Sequence, residues 1–144
     1  MKFFTITTTL FLLVFSAQAQ VLSVKEQAVT INEVLTDRID NLLPKLMDEA
    51  KIDCWLIISR EYNEDPILKT FLPAEWLSAR RTTMLVFYRD KKNESIHSYA
   101  IARYQVGKRI QAAWNPEREP NQWKALSKLI DSLNPNQIAL NTSK

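Results

Sequence analysis

Residues 51–71 read KIDCWLIISREYNEDPILKTF, an apolar run that stops abruptly at a cluster of charged side chains. The run Cys54–Ile58 is continuous rather than alternating, and too short for an ordinary helix. That pattern predicts a strand covered on both faces. Arg60, Glu61, Tyr62, Asn63, Glu64 and Asp65-Pro66 follow directly. In open α/β sheets ligands gather beyond the carboxyl ends of the strands, where Arg60 and Glu61 fall. The ordinary alternative is the solvated exit of a core strand, with Asp65-Pro66 turning into a short helix over 67–71 that Pro73 stops.

Upstream, Leu35, Ile39, Leu42, Leu43, Leu46, Met47 and Ala50 recur from Val34 onward at helical spacing and predict a stripe facing the core. Either Asn32 or Thr36 suits the N-cap. Pro44 interrupts the pattern, and is expected to kink the helix or to begin a second segment, because an interior proline costs about 3 kcal/mol. Residues 20–33 read as an extension, so the domain itself is assigned to 34–144.

Downstream, RRTTMLVFYR (80–89) predicts a second strand rich in β-branched and aromatic residues. A polar turn leads to a third over 96–104, with Ile96, Ser98, Ala100, Ala102 and Tyr104 on one face. These two are expected to pair as an antiparallel hairpin. Residues 110–114 suggest a fourth strand, Trp123 to Leu133 a second amphipathic helix, and 138–141 a last short strand. Helix, strand, helical loop, three strands, helix and strand imply a mixed α/β sheet.

The chain of 144 residues begins MKFFTITTTLFLLVFSAQAQ, with an early lysine, an apolar core from Leu10 to Phe15 and a small-residue triplet ending at Ala19. This predicts a cleavable signal peptide over 1–19, hence a secreted or periplasmic protein. The alternative, a membrane anchor, needs about 20 apolar residues, and this core is shorter. Nineteen basic against sixteen acidic residues, scattered in pairs, make no footprint for nucleic acid.

The single cysteine, Cys54, lies inside the apolar run and allows no intramolecular disulfide. One glycine, Gly107, leaves no phosphate-cradling loop, dinucleotide fingerprint or nucleophile elbow. One histidine, His97, on a predicted strand, does not make a metal site. Of the four tryptophans, Trp55 and Trp123 belong to apolar stripes, whereas Trp76 and Trp114 adjoin turns and are expected to be partly exposed. Exposed aromatics of this kind anchor interfaces.

The stretch RIDNLLPKLMDEAKIDCWLIISREYNEDPI resembles the amino-terminal domain of the creatinase/prolidase family, specifically of exported Xaa-Pro aminopeptidase-like proteins. Arg38, Ile39, Leu43-Pro44, Leu46-Met47, Ile52-Asp53, Trp55, Arg60-Glu61 and Asp65-Pro66 carry the likeness, which extends through RRTTMLVFYRD to IALNTS. The resemblance implies a three-layer mixed β-sheet with flanking helices, a ribonuclease H-like motif, incomplete at its carboxyl end. It also implies that catalysis belongs to a separate carboxy-terminal pita-bread domain, absent from this sequence, which holds two divalent metals such as manganese, cobalt or zinc. No cofactor or metal site and no enzymatic activity are then expected on this chain alone. The expected partners are that catalytic domain and further copies of the chain. Arg60, Glu61 and Trp76 are the residues expected to touch substrate or partner. A free-standing secreted binding module, using Trp76, Trp114 and the charged loop, is the other reading.

Overall fold

Ser23 caps the first described helix. Its Oγ accepts the Glu26 N–H while the Glu26 carboxylate accepts the Ser23 N–H at 2.8 Å, a reciprocal cap that starts helix α1, Val24–Asp37. The computed structural model describes residues 21–141, and the signal peptide expected at 1–19 lies outside the described residues. Residues 24–33, read from the sequence as an extension, are therefore helical. Neither expected cap serves: the Asn32 side chain accepts the Ala74 N–H at 3.0 Å, and the Thr36 hydroxyl donates to the Asn32 carbonyl at 2.9 Å.

A π-helical turn, Arg38–Leu42, joins α1 to α2, Leu43–Glu49, whose first turn contains Pro44. Proline has no N–H to offer the preceding turn and its ring crowds the carbonyl four residues back, so a wider turn accommodates it. Leu35, Ile39, Leu43 and Met47 are buried, whereas Val34, Leu42 and Leu46, expected on the same stripe, are nearly half exposed.

The sheet comprises β1 (Cys54–Arg60), β2 (Thr82–Asp90), β3 (Ser95–Ile101), β4 (Gln111–Ala112) and β5 (Ile138–Leu140), in the order β4-β3-β2-β1-β5. β1 and β2 pair antiparallel, as do β2 and β3, which is the expected hairpin; β5 joins β1 and β4 joins β3 in parallel. Asp65 caps the short helix α3, Pro66–Thr70, by accepting the Ile67 N–H at 2.7 Å. Asn121 caps α4, Gln122–Leu133, in the same way through Lys124.

Both faces of the sheet are covered, which is why the β1 run does not alternate. On one face Trp55, Ile57, Leu85 and Phe87 pack under Leu35, Ile39, Leu43 and Phe71. On the other, Cys54, Leu56, Met84, Val86 and Ile101 pack under Ala125 and Leu126 of α4. Burial of this kind stabilises by roughly 25 cal/mol for each Å² of apolar surface removed from water. The Cys54 thiol is pushed up to about 11 by that burial, and behaves as a small apolar group.

Three aromatic residues depart from expectation. Trp76 is 7% exposed and its indole N–H donates to the Gln105 carbonyl at 3.0 Å, while Trp123 is 59% exposed. Tyr104 is also exposed, because β3 ends at Ile101 and the chain turns away. That turn requires Gly107, at φ +59°, where an added Cβ would stand 3.0 Å from two side-chain carbons of Pro73. No described helix is long and apolar enough to cross a membrane.

Candidate functional site at the sheet end

Strand direction gathers the candidate residues. β1, β3 and β5 finish, and β2 begins, at one end of the sheet, as the pairings Arg60 with Thr82 and Met84 with Ile101 show. The first turn of α4 is pinned there too: the Gln122 side-chain amide donates to the carbonyls of Thr82 (2.9 Å) and Ile101 (2.8 Å). Two hollows open on this end, one on either side of β1.

Arg60, Asn63, Glu64, Asp65, Trp123 and Asn141 line the first, about 380 Å³. Its loop is held from below. The Ser59 hydroxyl accepts the Asp65 N–H at 3.0 Å, and the second Asp65 oxygen accepts the Asn141 amide at 3.2 Å. Asn141 in turn accepts the Trp55 indole N–H at 2.6 Å, tying the loop to the core. Arg60 is exposed and forms no ion pair with a described residue. Its guanidinium therefore keeps its five N–H donors for a carboxylate or a similar planar acceptor.

Glu61 belongs to the second hollow, about 440 Å³, with Leu77, Arg80, Arg81 and Tyr104. The Glu61 N–H donates to the Arg81 carbonyl at 2.6 Å, and the Arg81 N–H to the Glu61 carboxylate at 3.1 Å. The Arg80 guanidinium lies 5.5 Å from the Trp76 ring centre and 5.7 Å from that of Tyr104, a cation–π arrangement. Trp76 is thus a buried support under Arg80 rather than the surface contact expected of it. Arg60 and Glu61 are adjacent in sequence but line different hollows, because Arg60 ends β1 whereas Glu61 lies in the turn beyond it and is bonded to the Arg81 backbone.

The backbone is strained at the same place. Tyr62 (φ 67°) and Arg81 (φ 53°) both occupy the left-handed region, which disfavours residues with a Cβ. Tyr62 is 93% and Leu77 90% exposed, so neither is explained by core packing. Trp123, Arg80 and Tyr104 escaped the sequence reading. Helical spacing hid Trp123 among core residues, and only the Arg80-Arg81 pair at the start of a strand signalled this side.

His97 is half exposed, 3.5 Å from the Asp90 carboxylate. Trp114 is half-buried against the α4 face and donates its indole N–H to the Glu119 carbonyl at 2.7 Å. Among the described residues no three His, Cys, Asp or Glu side chains converge as a metal ion requires. The sheet end offers recognition: guanidinium groups, exposed aromatic rings and hollows between them.

Comparison with known proteins gives no family model, no curated protein and no solved structure that matches the chain.

Proposed function

We propose that the chain is the non-catalytic amino-terminal domain, or a fragment of it, of an exported Xaa-Pro aminopeptidase-like metallopeptidase. Its part is oligomerisation and covering the active site of a pita-bread catalytic domain. The observation that carries this reading is the sheet end itself: exposed Arg60, Arg81, Tyr62, Leu77 and Trp123 surround a strained turn held from beneath by Asp65, Asn141 and Trp55. Arginine and aromatic side chains of this kind dominate the binding energy of interfaces. An exposed guanidinium at the tip of a rigid strand suits a substrate carboxylate or an acidic side chain of the partner. The two divalent metals of the proposed parent enzyme belong to the catalytic domain, and this chain supplies contacts at the rim.

Fusing the chain to a pita-bread aminopeptidase domain tests this reading. Arg60→Lys in the fusion is expected to raise KM for Xaa-Pro peptides, or to weaken subunit association, at unchanged melting temperature. Lysine keeps the charge but not the two parallel hydrogen bonds. Identical kinetics and identical oligomer mass would return Arg60 to an ordinary solvated side chain. The free-standing binding module loses one of its anchors with the burial of Trp76, but the hollow between Arg60 and exposed Trp123 gives it another. A chain that captures a ligand unaided, with loss on Trp123→Ala, would favour it.

A further inference from the structure

The hollow on the Glu61 side is built from connections inside the chain. The turn after β1 supplies Glu61, the approach to β2 supplies Leu77, Arg80 and Arg81, and the segment after β3 supplies Tyr104. At about 440 Å³ it has the volume of an ordinary small-molecule site. Its cations are free: Arg80 and Arg81 are exposed, and neither forms an ion pair with a described residue.

Arg80 is nonetheless held in place. The hydroxyl of fully buried Thr83 accepts the Arg80 N–H at 3.1 Å and donates to the Arg80 carbonyl at 3.3 Å. The guanidinium lies over the Trp76 and Tyr104 rings, and Trp76 is itself fixed. Gln105 receives the Trp76 indole N–H on its carbonyl, and donates its own side-chain amide to the carbonyls of Gly107 (2.7 Å) and Ile110 (3.0 Å). A cation positioned in this way gives up little freedom on meeting a ligand.

The donors left over are planar guanidinium forks, which match the two oxygens of a carboxylate. Phosphate sites draw on free backbone N–H groups at a nest or a helix start. Here those groups are taken: the Arg80 N–H by Thr83, the Arg81 N–H by the Glu61 carboxylate and the Glu61 N–H by the Arg81 carbonyl. The Glu61 carboxylate also stands in the hollow, where it repels a dianion more than a monoanion. Exposed Leu77 and Tyr104 offer apolar surface beside the cations.

We propose that this hollow binds an organic monocarboxylate, with its two oxygens on Arg80, its apolar group against Leu77 and Tyr104, and Arg81 as the second positive charge. A simple acid and the carboxyl terminus of a peptide share that chemistry. The inference goes beyond the function proposed above, because it needs no catalytic domain and makes no use of Arg60. Binding by this chain and kinetics of the fusion can each fail alone.

The full chain, isotopically labelled in its arginine side chains, methyl groups and indole rings, is titrated by NMR with N-acetyl-leucine, hexanoate, N-acetylleucinamide and inorganic phosphate. Both carboxylates should give saturable shifts of the Arg80 Nε–H, the Leu77 methyls and the Trp76 indole N–H, at a Kd in the millimolar range. Tighter binding of N-acetyl-leucine would support the site with a peptide end as its ligand, and tighter binding of hexanoate would support it with a simple acid. The amide and phosphate should bind at least about tenfold more weakly. Arg80→Lys keeps the charge but not the fork, and should weaken carboxylate binding roughly tenfold at unchanged melting temperature. Tyr104→Leu keeps an apolar wall at an exposed position but releases the guanidinium, and should weaken binding about threefold. Equal binding of acid and amide, tighter binding of phosphate, an affinity unmoved by both substitutions, or shifts confined to the hollow of Arg60 and Trp123 would each overturn the proposal.

Discussion

Charge is handled in opposite ways at the two ends of the sheet. Where β1 begins, Arg89 is 9% exposed and donates to both Asp48 oxygens, at 3.1 and 2.9 Å. Asp53 is buried beside it. One of its oxygens meets the Lys91 ammonium at 2.7 Å, the other accepts the Asn136 N–H at 3.0 Å, and its carbonyl accepts the Arg89 N–H at 2.8 Å. Asp53 thereby links β1, the end of β2 and the loop before β5. Hydrogen bonding to Arg89 holds the Asp48 carboxyl below its ordinary value, and Lys91, reinforced by Asn136, does the same for Asp53 against the opposing effect of burial. Where β1 ends, the arginines are exposed; left-handed backbone does not separate the ends, since Lys51, Glu94 and Asn134 adopt it at the first and Tyr62 and Arg81 at the second. One end uses its charges to hold the fold together, while at the other Arg60, Arg80 and Arg81 form no ion pair with a described residue.

The largest effect should come from the strand joining the two ends. Ile57 is fully buried, and Ile57→Asp places an unpaired charge in the core at a cost of several kcal/mol, comparable with the ~5–15 kcal/mol that holds a domain folded. No cooperative melt should remain. A normal melt in this variant would break the buried-strand assignment and the comparison with it.

Next in size is the paired end. Arg89→Met keeps the apolar stem but removes the charged hydrogen bonds, and is expected to cost about 2 kcal/mol in urea unfolding. Its pH dependence has a definite sign. Asp48 and Asp53 are depressed in the folded chain, so the unfolded chain binds more protons in acid. Their contribution is complete above the ordinary carboxyl value of 3.8 and is lost as pH falls through the depressed values. Asp53→Asn should flatten the acid limb of a melting-temperature profile and leave its neutral-to-alkaline course parallel to wild type.

The exposed Tyr62 turn should answer with the opposite sign. Tyr62→Gly removes a left-handed penalty of about 1–2 kcal/mol, offset by glycine's extra unfolded entropy of roughly 0.5–1 kcal/mol. A net gain of about 0.5 kcal/mol is expected, because a side chain 93% exposed has little packing to lose. A clear loss on chemical denaturation would mean that Tyr62 is held by contacts of its own. Smallest of all, Arg60→Ala should change stability by no more than ~0.5 kcal/mol. A larger loss would assign Arg60 to the fold and erase the contrast between the ends.

Much of this architecture was legible because burial leaves a periodic record. The continuous run Cys54–Ile58, the hairpin of β2 and β3 and the stripe of α4 all follow from spacing. The start of α1 was not legible, since Leu35 is its only buried residue and a capping box is a local signal easily outweighed by a missing stripe. Trp76 and Trp123 exchanged places for a related reason. Position next to a turn or within a stripe does not say which way an indole points, and Trp76 finds a carbonyl acceptor inside whereas Trp123 overhangs the sheet end. Arg60 and Glu61 were placed at the correct strand terminus, but their separation onto two sides depends on which backbone each loop bonds to. No linear pattern carries that.

The π turn at Arg38–Leu42 acts as a phase corrector. Leu35, Ile39, Leu43 and Met47 are spaced by four residues each, and an α-helix of 3.6 residues per turn rotates such a series by about 40° at every step, roughly 120° from first to last. A wider turn winds less per residue and subtracts from that drift, so four leucine-sized side chains stay in one line over the sheet. The helix thus tolerates a spacing that a regular α-helix would spread around its circumference. Removing one residue from Arg38–Leu42 would restore regular winding with spacings of four, three and four, a drift of only about 20° from first to last, so Leu43 and Met47 would stay on the line that Leu35 begins.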